Sequence, residues 1–153
     1  METIESIKGI YRKKYRYLPE NRQKAAHISA DINKPKNASH RLHAEFLELL
    51  EYQFPINEPQ QHVQLRSASE FAEMLHVHVN SLNRAVKEVS RKTTTRIIAE
   101  RVLREAKLLL KQTFWTVSEI AFSLGFTETT HFNNFFKKHI QMSPVKFRNT
   151  NFN

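Results

Sequence analysis

The stretch "SEIAFSLGFTETTHFNNFFKKH", residues 118–139, contains Gly125, one of only two glycines in a chain of 153 residues. Why it stands there decides the fold. Just upstream, Thr116 and Glu119 have the T-x-x-E spacing of a capping box, in which hydroxyl and carboxylate each satisfy an orphan backbone N–H. A helix therefore starts at this point, with Val117, Ile120, Ala121 and Leu124 as its apolar stripe. Gly125 follows the last of them, where a left-handed residue ends the helix and a Cβ costs about 1 kcal/mol. Beyond the glycine, Thr127 is the expected cap of a second helix whose Phe132, Phe135 and Phe136 lie at i, i+3 and i+4. Residues 116–139 thus read as a helix-turn-helix, an arrangement suited to presenting its second helix to a DNA major groove.

One helix-glycine-helix also fits a plain bundle, but the pattern occurs twice. "SASEFAEMLHVHVNSLNRAVKEV", residues 67–89, opens on a second capping box, Ser67 and Glu70, and carries Phe71, Met74 and Leu75 as its stripe. Val79, Leu82, Ala85 and Val86 then face inward on the following helix. Leu75 aligns with Leu124 and Leu82 with Phe132, so the copies lie 49 to 50 residues apart with one insertion near the turn. At about 100° per residue, Asn80, Asn83, Arg84 and Lys87 point away from Leu82. Thr130, Asn133, Asn134 and Lys137 occupy the same arc away from Phe132. Amides and cations are the groups that read adenine, guanine and phosphate. Either arc alone would pass as an ordinary solvated helix face; two matched arcs point to nucleic acid.

Charge supports that direction. The formal net charge is +9, and residues 63–153 hold 14 Lys and Arg against 7 Asp and Glu, whereas residues 1–62 hold 10 against 8. The basic excess lies with the two repeats, as a polyanion-binding domain requires. Cysteine is absent, which excludes disulfides, thiolate metal sites and cysteine nucleophiles. No apolar run reaches bilayer length and the first nine residues lack the basic-then-apolar order of a signal peptide, so a cytoplasmic location without membrane contact is expected.

The rarity of glycine and the recurring i, i+3, i+4 spacing predict an all-α protein: two helix-turn-helix subdomains joined by a long connecting helix, preceded by an N-terminal helical segment. The connector is "TTTRIIAERVLREAKLLLKQT", with Ile98, Val102, Leu103, Ala106, Leu109 and Leu110 over a wide arc and Arg104, Lys107 and Lys111 on its polar side, solvated or facing phosphates. The polar, proline-interrupted "PINEPQQHVQL", residues 55–65, reads as a linker. It separates a helical segment, 1–54, from a DNA-binding domain, 66–150.

On these residues, 67–148 resemble the DNA-binding domain of the AraC/XylS family of transcription regulators. The likeness is carried by "LNR" (82–84), "AERVLREAKLLL" (99–110), "SEIAFSLGF" (118–126), "HFNNFFKKHI" (131–140) and "SPVKFR" (143–148). It implies that Asn80, Asn83 and Arg84 in the first motif, and Thr129, Thr130, Asn133 and Asn134 in the second, face bases. It implies a phosphate contact for Lys137, with Lys87 at the matching place in the first copy. Double-stranded DNA and RNA polymerase follow as partners. Where the family usually has glycine this chain has Arg91, where it has proline this chain has Thr94, and where it often has glycine this chain has Gln141. Arg91 and Gln141 must therefore avoid or tolerate positive φ.

Family members commonly carry dimerising helices between a β-rich sensor and the DNA-binding domain. Here Ile4, Ile7, Tyr11, Tyr15 and Leu18 form one stripe, and Pro19 and Pro35 bracket a short helix. Leu42, Phe46, Leu49 and Leu50 form a second stripe, on a helix capped by Asn37 or Ser39. Such a stripe needs a cover, from this chain or a second copy. The linker's polarity favours the second copy, so a weak homodimer through residues 38–54 is expected. No strand-rich sensor is read in the chain, hence no small-molecule effector and no cofactor.

Catalysis finds no support: there is no glycine-rich phosphate loop, no G-x-S-x-G and no purposeful acid pair. The eight histidines include His76 and His78, and His40 and His43, neither pair in a metal-ligand pattern, so no metal is expected. The competing reading is a basic helical protein-interaction module without sequence-specific DNA binding. The amides on both arcs favour DNA, since nonspecific acid binding has no need of them.

Overall fold

Both capping boxes form in the computed structural model, which describes residues 37–150. Ser67 Oγ accepts the Glu70 N–H at 3.3 Å while Glu70 Oε2 accepts the Ser67 N–H at 2.8 Å. Thr116 Oγ1 accepts the Glu119 N–H at 3.1 Å and Glu119 Oε2 the Thr116 N–H at 2.7 Å. Seven helices and no strand occur among the described residues: α1 (Ala38–Tyr52), α2 (Ala68–Met74), α3 (Val79–Ser90), α4 (Thr94–Gln112), α5 (Val117–Ser123), α6 (Thr129–Ile140) and α7 (Pro144–Asn149). The stripe from Ile4 to Leu18 and the helix expected between Pro19 and Pro35 lie outside the described residues.

The chain divides into two units. The first joins its described residues up to Phe54 with Gln64–Ala99. Asn37 caps α1, its Oδ1 accepting the His40 N–H at 2.9 Å, and α1 packs on α3. Phe46, Leu49 and Leu50 are buried, with Phe46 meeting the edge of the Phe71 ring at 5.1 Å. This corrects the expectation that a second copy covers the stripe. The same chain covers it through Phe71, and only Leu42 of the four is left half-buried. At the end of α1 the Gln53 amide, 2% exposed, holds the returning chain. Its Oε1 accepts the Gln64 and Leu65 N–H groups at 2.9 and 2.8 Å, and its Nε2 donates to Leu65 O at 3.0 Å.

The second unit joins Pro55–Val63 with the chain from Glu100 onward, so α4 contributes its first turn and a half to one unit and the rest to the other. Residues 55–65 carry no helix, but they are held down. Ile56, Gln61, Val63 and Leu65 are buried. The Ile56 N–H donates to Glu105 Oε1 at 2.7 Å, and the Val63 N–H donates to Ser123 O, an orphan carbonyl at the end of α5, at 2.8 Å. Glu105 is itself 2% exposed and pairs with Arg101 Nη1 at 3.0 Å. Phe126, Phe132, Phe136 and Phe147 form a run of ring contacts at 5.3, 5.8 and 5.3 Å that joins the turn, α6 and α7 into one aromatic core.

The ends of α4 and α7 fasten each other. Each leaves carbonyls without intrahelical partners, and each carries a cation in its last turn. Lys111 donates to Arg148 O at 3.1 Å and to Thr150 O. Arg148 donates through Nε to Leu110 O at 3.1 Å and through Nη2 to Trp115 O at 2.5 Å. Lys111 also lies 5.1 Å from the Phe147 ring centroid, so this residue of the connector's polar side is committed to α7.

Candidate nucleic-acid interface

The second helix of each motif is set by what its inner face buries. In α3, Leu82, Ala85 and Val86 are buried; in α6, Phe132 and Phe136 are buried and Phe135 is half-buried. Leu82 corresponds to Phe132, Ala85 to Phe135 and Val86 to Phe136. The second copy therefore uses the same three positions with larger side chains.

With those faces inward, the opposite arcs are turned to solvent. Asn80, Asn83, Arg84 and Lys87 are exposed on α3, and Thr130, Asn133, Asn134 and Lys137 on α6. Among the described residues the side chains of Asn80, Asn83, Arg84, Thr130, Asn133, Asn134 and Lys137 make no hydrogen bond or ion pair, so their donors and acceptors remain available. Two of the expected contact residues differ. Thr129 is half-buried and its hydroxyl donates to Ser118 Oγ at 3.1 Å, tying the first turn of α6 to α5. Lys87 curls back so that Nζ donates to Arg91 O at 3.1 Å, meeting the carbonyl end of its own helix.

The helix starts were only partly legible. α6 begins one residue later than the Thr127 cap implied: Glu128 is the N-cap and makes no side-chain capping bond. At α3 the cap is His78, whose Nδ1 accepts the Asn80 N–H at 3.2 Å. Histidine is an uncommon cap, and the only sequence signal for it was its place just before the inward-facing run.

Backbone strain follows the repeat. Gly125 has φ 84°, and His76, which aligns with it, has φ 55°. At the far ends Arg91 has φ 62° and Gln141 has φ 64°. Both therefore tolerate the left-handed conformation. The Arg91 N–H donates to Lys87 O at 3.0 Å and the Gln141 N–H to Lys137 O at 2.9 Å, so the backbone cap that glycine usually provides is kept. Gln141 adds a side-chain bond, Nε2 to Lys138 O at 3.0 Å.

Among the described residues, no group of three or more His, Cys, Asp or Glu could hold a metal ion, and no helix is long and apolar enough to cross a membrane. Burial, helped by the nearby His40, lowers the His43 imidazole from its ordinary value, and burial raises the Glu45 carboxyl. Both lie on α1.

Comparison with known proteins agrees with this geometry. A family model described as a helix-turn-helix domain matches residues 71–150. Among curated proteins none matches. Among solved structures, the C-terminal domain of the two-component response regulator yesN from Fusobacterium nucleatum is similar at 25% identity and a TM-score of 0.56, over 67% of this chain and 93% of that one. An AraC-type transcriptional regulator from Chromobacterium violaceum has 24% identity and a TM-score of 0.55, over 73% of this chain and 94% of that one. The C-terminal domain of AraT, a response regulator from Geobacillus stearothermophilus, has 20% identity and a TM-score of 0.58, over 79% and 91%. The last two show the fold. With paired capping boxes, two exposed amide-and-cation arcs and a family match over more than half its length, the chain belongs to the AraC-type helix-turn-helix family of DNA-binding transcription regulators.

Proposed function

We propose that the protein reads a specific double-stranded DNA site with α3 and α6, one in each of two successive major grooves, which recur on one face of B-DNA every ~34 Å. Asn80, Asn83 and Arg84 read bases from α3, and Thr130, Asn133 and Asn134 from α6. Asn is suited to adenine and Arg to guanine by bidentate hydrogen bonding. Thr129 acts at the edge of the second set, where its bond to Ser118 fixes the entry of α6. Lys87 and Lys137 meet phosphates. As a regulator of transcription the protein works on RNA polymerase at the promoter it marks. The observation that carries this reading is the match between the arcs: corresponding stretches of both copies expose amides and a cation that have no side-chain partner among the described residues, Lys87 excepted.

Binding-site selection from random DNA, followed by titration of the selected site at rising salt, tests it. Neutralising about six phosphates gives a slope of log K against log salt near −5, and the selected site is preferred over random sequence by ~10³ or more. A flat salt dependence with no selected motif would instead leave the arcs as a surface for an acidic protein.

A further inference from the structure

The left-handed cap of α3 carries a residue that helix stability alone does not choose. Arg91 has φ 62°, a conformation that favours glycine, and it is exposed. It directly follows Ser90 at the end of α3, and its carbonyl accepts from Lys87 Nζ at 3.1 Å, so it stands next to the last residue of the Asn80, Arg84 and Lys87 arc. Among the described residues its guanidinium has no hydrogen-bond or ion-pair partner. The nearest acid along the helix, Glu88, instead accepts the hydroxyl of Ser39 at 2.9 Å. Without DNA, Lys87 meets the carbonyl at this helix end, so the free protein's terminus is neutralised without the Arg91 side chain. The matching residue of the second copy, Gln141, uses its side chain on Lys138 O; Arg91 has no such duty.

We infer that Arg91 is a DNA phosphate contact, extending the reading face of α3 by one turn beyond Lys87. The inference rests on the DNA-binding reading above. A guanidinium suits the role because its planar fork can meet two phosphate oxygens at once.

The test uses the full chain, the DNA site it selects, and three variants. Arg91→Gly keeps the cap and removes the charge, Arg91→Asn does so with a residue that still tolerates positive φ, and Arg91→Lys restores a cation. Arg91→Gly and Arg91→Asn are expected to bind several-fold more weakly at low salt, with a salt slope shallower by ~0.9, so that their deficit shrinks roughly 3.5-fold between 50 and 200 mM salt. Arg91→Lys keeps the wild-type slope. Arg91→Gly should also melt no lower than wild type, which separates lost contact from lost fold. If wild type shows the steep slope and the glycine and asparagine variants share it, Arg91 is a helix cap and no more. If wild type itself selects no site, the DNA-binding reading falls and this inference with it.

Discussion

Replacing Gln53 by alanine removes a side chain that ties the end of α1 to the chain returning at residues 64–65. Gln53 is 2% exposed, and its amide bonds to residues 64 and 65 at 2.9, 2.8 and 3.0 Å. A typical intramolecular hydrogen bond is worth about 1 kcal/mol net, and each buried group left unsatisfied costs about 1–3. Leu65 is buried and Gln64 half-buried, so water does not freely replace the amide at both residues. Gln53→Ala should therefore lose about 3 kcal/mol, roughly 10–20 °C in melting temperature for a domain of this class. Urea denaturation followed by circular dichroism at 222 nm measures it, with an unchanged m-value showing that the native state is otherwise intact. Gln64→Ala is the control: only its backbone N–H engages Gln53, so it should change stability by less than ~0.5 kcal/mol. A loss below ~1 kcal/mol for Gln53→Ala would refute the reasoning, since it would mean that water takes over the three bonds.

Three further outcomes are expected. His76→Gly should raise stability by ~0.5–1 kcal/mol, because His76 holds φ 55° where the aligned residue of the second motif is glycine; a lower melting temperature would show that the imidazole contributes more than its strain costs. Arg84→Ala should weaken binding to the selected site by ~1–3 kcal/mol and relax selectivity at one or two base pairs, whereas Lys137→Ala should weaken all sequences about equally and make the salt slope shallower by ~1. Equal, uniform losses in competition assays would remove Arg84 from the base readers. Glu70 supplies an acid-side effect. Burial pushes its carboxyl up, but bonds from the Arg66 and Ser67 N–H groups and the Ser67 hydroxyl, with the Arg66 charge, bring it below the ordinary value. A carboxylate depressed in the folded state adds stability above its unfolded pKa and loses it as pH falls through the folded one. Glu70→Gln should flatten the acid limb of a stability–pH curve, and an unaltered limb would show that the capping box is held without the charge.

What the sequence determined by itself was local. A capping box needs two residues three apart, a helix face needs apolar groups three and four apart, and a turn needs a residue that accepts positive φ. Those short-range rules placed Ser67, Glu70, Thr116, Glu119 and Gly125, and the repeat then matched Asn83 with Asn133 and Lys87 with Lys137. Local rules also set limits. They could not show that Arg91, Gln141 and His76 adopt the conformation usually left to glycine, because the penalty is small enough for tertiary packing to outweigh. Only the tertiary structure decided the fate of α1 and of residues 55–65. The stripe of Phe46, Leu49 and Leu50 looks the same in one dimension whether a second chain or the same chain covers it, and here Phe71, 25 positions after Phe46, lies against it. The polar composition of 55–65 concealed a strap, because its hold comes from partners far along the chain: Glu105 for the Ile56 N–H and Ser123 for the Val63 N–H. Buried backbone donors must find acceptors wherever the fold brings them, and which acceptor comes within reach is a property of three dimensions.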